Sequence, residues 1–194
     1  ITLAIDAFKG KPYPCGVVLN PVIEACLALR PAVADDLERI ERVQLRAHPL
    51  LRQRTDRPDV ISGKASQVSA QHAVAVALSR GRAGLDEFAD AAVADDALRA
   101  LGRRLVFVED ASLGVEAAEV TLVMAGGRRL SHTVAAAHGS LASPLTDEEL
   151  SGKCRELARH GGSGVAAEPL LDALWNLERS PDASAVMRLA AGGH

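Results

Sequence analysis

Aromatic side chains are nearly missing from this chain: three Phe, one Tyr and one Trp make up 3% of 194 residues. The core must therefore be packed from Leu, Val, Ile and Ala, which interdigitate well but bury less area each. Platforms for stacking bases are scarce. Lysine is also sparse, with only Lys9, Lys11, Lys64 and Lys153 among 22 basic residues, a skew that fits GC-rich coding. The net charge is -3 and both signs are scattered along the chain, which argues against a phosphate-binding surface and a nucleic-acid partner. Three widely spaced cysteines, Cys15, Cys26 and Cys154, form neither a disulfide framework nor a CxxC metal site, and a reducing cytoplasm is the expected compartment. Apolar runs such as Ala73 to Leu78 fall far short of the roughly 18 to 20 residues a spanning helix needs, so no membrane partner is expected. The opening Ile1-Thr2-Leu3-Ala4-Ile5-Asp6 lacks the basic and long apolar regions of a secretory signal.

Several chemistries are missing their motifs as well. The six histidines include no HxxxH or HExxH pair, so no metal is implied. Gly126-Gly127 and the run from Gly161 to Gly164 lack a Walker lysine and the strand-then-helix context of a phosphate cradle. A GxSxG elbow is absent, which removes the α/β-hydrolase reading.

What is present is a globular composition, with 48% hydrophobic and 24% charged residues. The length allows one domain, or one and a small appendage. Because the chain opens on Ile1 inside a patterned apolar stretch, it is expected to be a piece of a longer polypeptide.

Lys11-Pro12-Tyr13-Pro14-Cys15-Gly16 cannot be helical, since two prolines fix φ and bias their predecessors to extended geometry. Asn20-Pro21 supplies an N-cap and an N1 proline for a helix that Pro31 stops. Leu37 to Ala47 alternates as a strand with one wet face. His48 to Gly63 shows no period and is expected to be a loop. Ser66 to Arg80 reads as a buried, alanine-rich helix capped at Ser66 or Ser69 and ending at Gly81. Short helices are expected near Asp86 to Ala92 and Asp95 to Leu101. Leu105 to Val108, apolar on both parities, should be an interior strand. Glu119 to Ala125 and Arg129 to Ala136 form a hairpin, for which the apolar register selects a three-residue loop including Arg128 and the pairs Met124 with Leu130, Leu122 with His132 and Val120 with Val134. Thr146 and Glu149 make a capping box for a helix to about His160, and a last helix near Glu168 to Leu177 precedes a frayed end. The expected class is α+β: a mainly antiparallel sheet of about four strands packed with about five or six helices.

Among residues able to carry chemistry, Lys11 stands out, because the rigid backbone beside it would place an ammonium group with little entropic freedom. It would suit holding a carboxylate or polarising a carbonyl; a solvated surface lysine is the other reading. Cys15 is either a nucleophile served by a nearby histidine or an inert buried thiol. His72, at the start of a buried helix, is a general acid, a substrate ligand or a core donor.

The motifs taken in order resemble the MmgE/PrpD family, best known for 2-methylcitrate dehydratases. Phe8-Lys9-Gly10-Lys11-Pro12-Tyr13-Pro14-Cys15-Gly16 followed by Asn20-Pro21-Val22-Ile23-Glu24-Ala25 is similar to that family's K-P-Y-P-C and H-P-x-I-D-A segment. Gln67 to Leu78 resembles its K/Q-F-S-x-x-Y-A-V-A-x-A-L helix, Gly81 to Leu85 its G-x-A-G-L end, and Pro144 to Leu150 with Lys153 its P-L-T-D-x-E-x-x-x-K helix start. The likeness runs from about Phe8 to Met187. It implies that residues 1–194 are one α+β domain, the smaller C-terminal domain of a two-domain enzyme with its active site in the cleft facing a helical N-terminal domain.

The chemistry implied is that of a carbon–oxygen lyase acting on a small di- or tricarboxylate, with dicarboxylate epimerisation and a non-catalytic assembly role as alternatives. No cofactor is implied. The intact protein is expected to be a homodimer and the isolated piece inactive. Lys11 matches the family's loop lysine and is carried over as the catalytic or charge-stabilising group. Tyr13, Cys15, Gln67, Ser69 and His72 are the candidate substrate-binding residues within the matching motifs. Gly16 and Asn20 stand where family members have histidine, which argues against cis-aconitate decarboxylation, and His72 replaces the commoner tyrosine.

Overall fold

A computed structural model of the chain describes residues 11–162 and 164–191. The opening pattern Ile1 to Asp6, the first residues of the resemblance (Phe8 to Gly10) and Ser163 of the glycine-rich break lie outside the described residues. The contacts of the described residues group into two compact units, one ending at Pro144 and one beginning at Leu145.

The first unit is built on a four-stranded sheet in the order β2-β1-β3-β4, with β1 Ile40–Ala47, β2 Leu105–Glu109, β3 Ala118–Met124 and β4 Arg129–Val134. β1 pairs antiparallel with β3, and β3 with β4, while β1 and β2 run parallel. A parallel pair needs a crossover, which here is the helical segment between Ala47 and Leu105. Strict alternation along β1 would send Ile40 and Val43 to opposite faces. A register shift between Ile40 and Arg42 lets both turn inward with Leu45 and Ala47.

Helix α1 (Asn20–Leu29) packs on β3 and β4, and α4 (Ala70–Arg80) packs on α1. α4 is buried at every position from Ala70 to Leu78, as its run from Ala73 to Leu78, apolar all round, requires. Ser69 caps it by accepting from His72 N at 3.1 Å, and Gly81 ends it in the left-handed region, φ 68°. On its other side lies α6 (Asp96–Gly102), capped by Asp95. The shorter α2 (Pro49–Thr55), α3 (Gly63–Ser66) and α5 (Asp90–Val93) fill the crossover.

The second unit comprises α7 (Asp147–Gly161), α8 (Ala167–Trp175) and α9 (Ser184–Ala190). Thr146 and Glu149 make the expected capping box. Trp175 Nε1 donates to Ser151 Oγ at 3.0 Å, joining α8 to α7. Within this unit only Ser151 and Leu171 are buried among the described residues, so three helices this short do not close a core of their own. No helix of the described residues is long and apolar enough to cross a membrane.

The fold is α+β, as expected, with a mostly antiparallel sheet. Five local expectations are corrected. His48 to Gly63 contains α2, which His48 caps by accepting from Leu50 N and which buries only Leu51 and Thr55, too few positions for a visible period. Asn20 is not a cap: a 3₁₀ turn over Val17–Leu19 precedes it, so it already lies inside the helix and its side chain makes no capping bond. β2 is an edge strand with Val106 and Val108 exposed, because only β1 pairs with it. The hairpin loop has three residues, but they are Ala125-Gly126-Gly127, with Met124 N donating to Arg128 O. Leu122 therefore faces Leu130 and Val120 faces His132, two residues from the expected register on the same faces. The two glycines take φ of 88° and 85°, which places them inside the loop. The expected frayed end contains α9.

Close approach in the first unit rests on glycine. A Cβ on Gly102 would lie 2.8 Å from the Gln71 carbonyl oxygen, and one on Gly63 would collide with the backbone of Phe88 and Ala89. Gly102→Ala and Gly63→Ala should each destabilise the protein by about 1 to 3 kcal/mol through overpacking. Gly114→Ala, where nothing lies within 4 Å, should be near neutral. Denaturant unfolding of the three variants checks this, and an equal response from all three would refute the close-packing account.

Candidate functional site

Residues 12–15 run as successive bends, outside helix and strand. The far end of this loop is pinned to the start of α4. Gly16 N donates to the Gln67 carbonyl at 2.9 Å, Cys15 is buried in the core, and Tyr13 packs half-buried against it. Lys11 is left at the surface. Its charge lowers the pKa of the Cys15 thiol, but burial is the larger effect and pushes that thiol up to about 12. The thiol is therefore protonated at neutral pH, and a protonated thiol is neither nucleophile nor anion.

Gly16 adopts φ -60° and ψ 131°, which any residue can take. A Cβ there would meet Gln67 O at 3.8 Å and Val68 Cγ1 at 3.9 Å, ordinary contacts. Backbone geometry does not require glycine at this point, which leaves space for a side chain beside the anchor of the Lys11 loop.

The first turn of α4 is heavily bonded. Ser69 Oγ donates to the Arg57 carbonyl at 2.7 Å while accepting from His72 N, so the hydroxyl holds two partners. Gln71 Nε2 donates to Asp56 Oδ1 at 2.7 Å, and its Oε1 accepts from Arg57 N at 3.1 Å. His72 Nε2 lies 2.7 Å from the Glu87 carbonyl, and its ring packs 5.5 Å from that of Phe88. Because a carbonyl only accepts, that bond assigns the proton to Nε2 in the neutral ring. Burial lowers the His72 pKa, the bond to Glu87 O opposes this, and nearby Arg80 adds to the lowering. The cavity beside Ser69, Gln71 and His72 measures about 20 Å³, room for one water at most.

Lys11, Tyr13, Cys15 and Gln67 thus meet at one pinned loop. Ser69 and His72 follow directly in the chain, but Ser69 Oγ and His72 Nε2 serve the scaffold. Sequence reading passed over Gln71, Asp56 and Arg57, because only the fold brings the segment after α2 onto the cap of α4. It also passed over a larger cavity lined by Asn20, Arg54 and Ser140, which shares no residue with the six candidates. Among the described residues no group of three or more His, Cys, Asp or Glu side chains is placed to hold a metal ion.

Comparison with protein families matches residues 13–179 to the MmgE/PrpD C-terminal domain. No curated protein matches the chain.

Two outcomes are expected from the electrostatics. A histidine whose folded pKa is lowered gives stability that is present above its unfolded pKa, about 6.5, and lost as pH falls toward the folded value. Replacing His72 with Gln should therefore flatten the loss of stability between pH 7 and 5, by up to about 1.4 kcal/mol per pH unit; identical slopes for both proteins would count against a lowered pKa. Iodoacetamide at neutral pH should label Cys154, which is partly exposed, well before Cys15 or Cys26, whose burial raises their pKa values. Peptide mapping reads the order.

Proposed function

We propose that this chain, which belongs to the MmgE/PrpD family as a C-terminal domain, contributes the Lys11 loop to an interdomain site of a lyase of the 2-methylcitrate dehydratase type. The observation that carries the reading is the Lys11 loop itself. Two prolines stiffen it, the bond from Gly16 N to Gln67 O and the burial of Cys15 anchor it, and Lys11 lies at its exposed end.

Elimination of water from a hydroxylated di- or tricarboxylate begins with loss of a proton from the carbon next to a carboxylate. The electrons of that C–H bond form the C=C bond as the C–O bond breaks, and the hydroxyl leaves as water after taking a proton. Negative charge spreads onto the neighbouring carboxylate in the transition state. An ammonium group held there in advance stabilises it without solvent reorganisation. Lys11 takes this role, with the acid and base groups supplied by a helical N-terminal domain of the same polypeptide. The scaffold bonds of Ser69 and His72 make them positioning residues for the loop anchor at Gln67. Epimerisation of a dicarboxylate shares the first step and differs only in returning the proton to the other face.

The test is turnover by the intact parent polypeptide of 2-methylcitrate, citrate, cis-aconitate and amino-dicarboxylate analogues in D₂O, followed by NMR, with the 194-residue chain alongside. Elimination or deuterium incorporation by the parent and none by the shorter chain is expected, and deuterium exchange without elimination would favour the epimerase. Lys11→Ala in the parent should lower kcat/KM by at least about tenfold, or about 1.4 kcal/mol. A change within about twofold would remove Lys11 from the mechanism.

A further inference from the structure

We infer that the cavity at the N-terminal end of α1 is a second binding site, for a short-chain hydroxy monocarboxylate. This goes beyond the reading of the Lys11 loop and stands independently of it.

The cavity has a volume of about 240 Å³, roughly eight times the 30 Å³ share of a liquid water, and suits a small organic molecule. Val17, Val18, Leu50, Leu51, Val115 and Ala137 form its apolar wall. Two buried polar residues interrupt that wall among the described residues. Asn20 and Ser140 are only 4% and 6% exposed, and Asn20 Oδ1 and Ser140 Oγ are buried with no hydrogen-bond partner among the described residues. An unmet buried polar atom costs about 1 to 3 kcal/mol, so two of them lining one cavity are costly unless something that enters it pairs with them. Asn20 is not spent as a helix cap. Its oxygen calls for a donor, and a ligand hydroxyl supplies one, while Ser140 Oγ can donate or accept.

Charge narrows the ligand further. Arg54, on α2, lines the cavity and makes no hydrogen bond or ion pair among the described residues. One guanidinium matches one carboxylate. Among the described lining residues a single guanidinium leaves a second carboxylate unmatched, which separates this ligand from the di- and tricarboxylates proposed for the Lys11 loop. His138 also lines the cavity, but its backbone N–H is bound to Glu24 at 2.7 Å and its Nδ1 lies 3.1 Å from Ser143 Oγ. What remains is a molecule with one carboxylate, one hydroxyl and a few apolar carbons.

The test uses the intact polypeptide with 3-hydroxybutyrate as the probe and butyrate as the control lacking the hydroxyl, read by ligand-observed saturation-transfer NMR. Saturable binding with Kd below about 10 mM is expected, with butyrate at least about fivefold weaker. Arg54→Gln, a change at an exposed side chain that leaves the melting temperature intact, should weaken binding about tenfold. Asn20→Leu should abolish the preference for the hydroxyl acid, and Lys11→Ala should leave binding unchanged. Absence of saturable binding, equal binding of the two acids, or undiminished binding by a folded Arg54→Gln protein would overturn the proposal. So would a crystal structure grown with the acid in which only water bridges Asn20 and Ser140. None of these outcomes bears on the turnover test of Lys11, so the two readings fail separately.

Discussion

Enclosure of α4 on every side is the constraint on which the first unit depends. The helix packs against α1 on one side and α6 on the other, and is buried from Ala70 to Leu78. From Ala73 to Leu78 its side chains are no larger than Val and Leu, which makes this stacking compact. Neighbouring backbone must then come within reach without intervening side chains, as it does where Gly102 meets the carbonyl of Gln71. The polar groups at the start of α4 cannot reach water freely and must be bonded internally. Ser69, Gln71 and His72 meet that demand through the Arg57 carbonyl, Asp56 and the Glu87 carbonyl.

This demand divides labour among the residues of one short motif. A polar atom committed to scaffold bonds holds its neighbours in place but has little left for a ligand, as with Ser69 Oγ and His72 Nε2. The backbone at Gln67 anchors Gly16, and the loop beyond projects a lysine to the surface. Cys15 shows the same logic in reverse: burial that secures the loop raises its pKa to about 12 and removes it as a nucleophile. Rigid support behind a single exposed cation is what stabilisation of a developing carboxylate charge requires.

Unmet polar atoms are informative for the opposite reason. The cap of α4 is satisfied, whereas Asn20 Oδ1 and Ser140 Oγ are buried without partners among the described residues, beside an Arg54 that makes no ion pair with them. The two regions sit at either end of the stretch from Cys15 to Asn20, so one short segment carries both a satisfied anchor and an unsatisfied cavity wall.

Local chemistry was legible in the residues alone. Pro12 and Pro14 exclude helix, Ser69 and Gly81 delimit α4, and Thr146 with Glu149 starts α7, because capping and proline geometry act within a few residues of chain. The α+β class and the ordered motifs of the MmgE/PrpD C-terminal domain were likewise readable. Whatever depended on a distant partner was not. The apolar run of β2 looks interior, yet its neighbours in the sheet make it an edge. Both hairpin registers bury the same faces, and the conformation of Gly126-Gly127 chose between them. The pairing of His72 with the Glu87 carbonyl, and the lack of a partner for Asn20 Oδ1 among the described residues, are set by residues far along the chain. Sequence determines what each short segment can do by itself, while tertiary packing decides which polar atoms find partners, because burial and hydrogen bonding are properties of neighbours that only folding supplies.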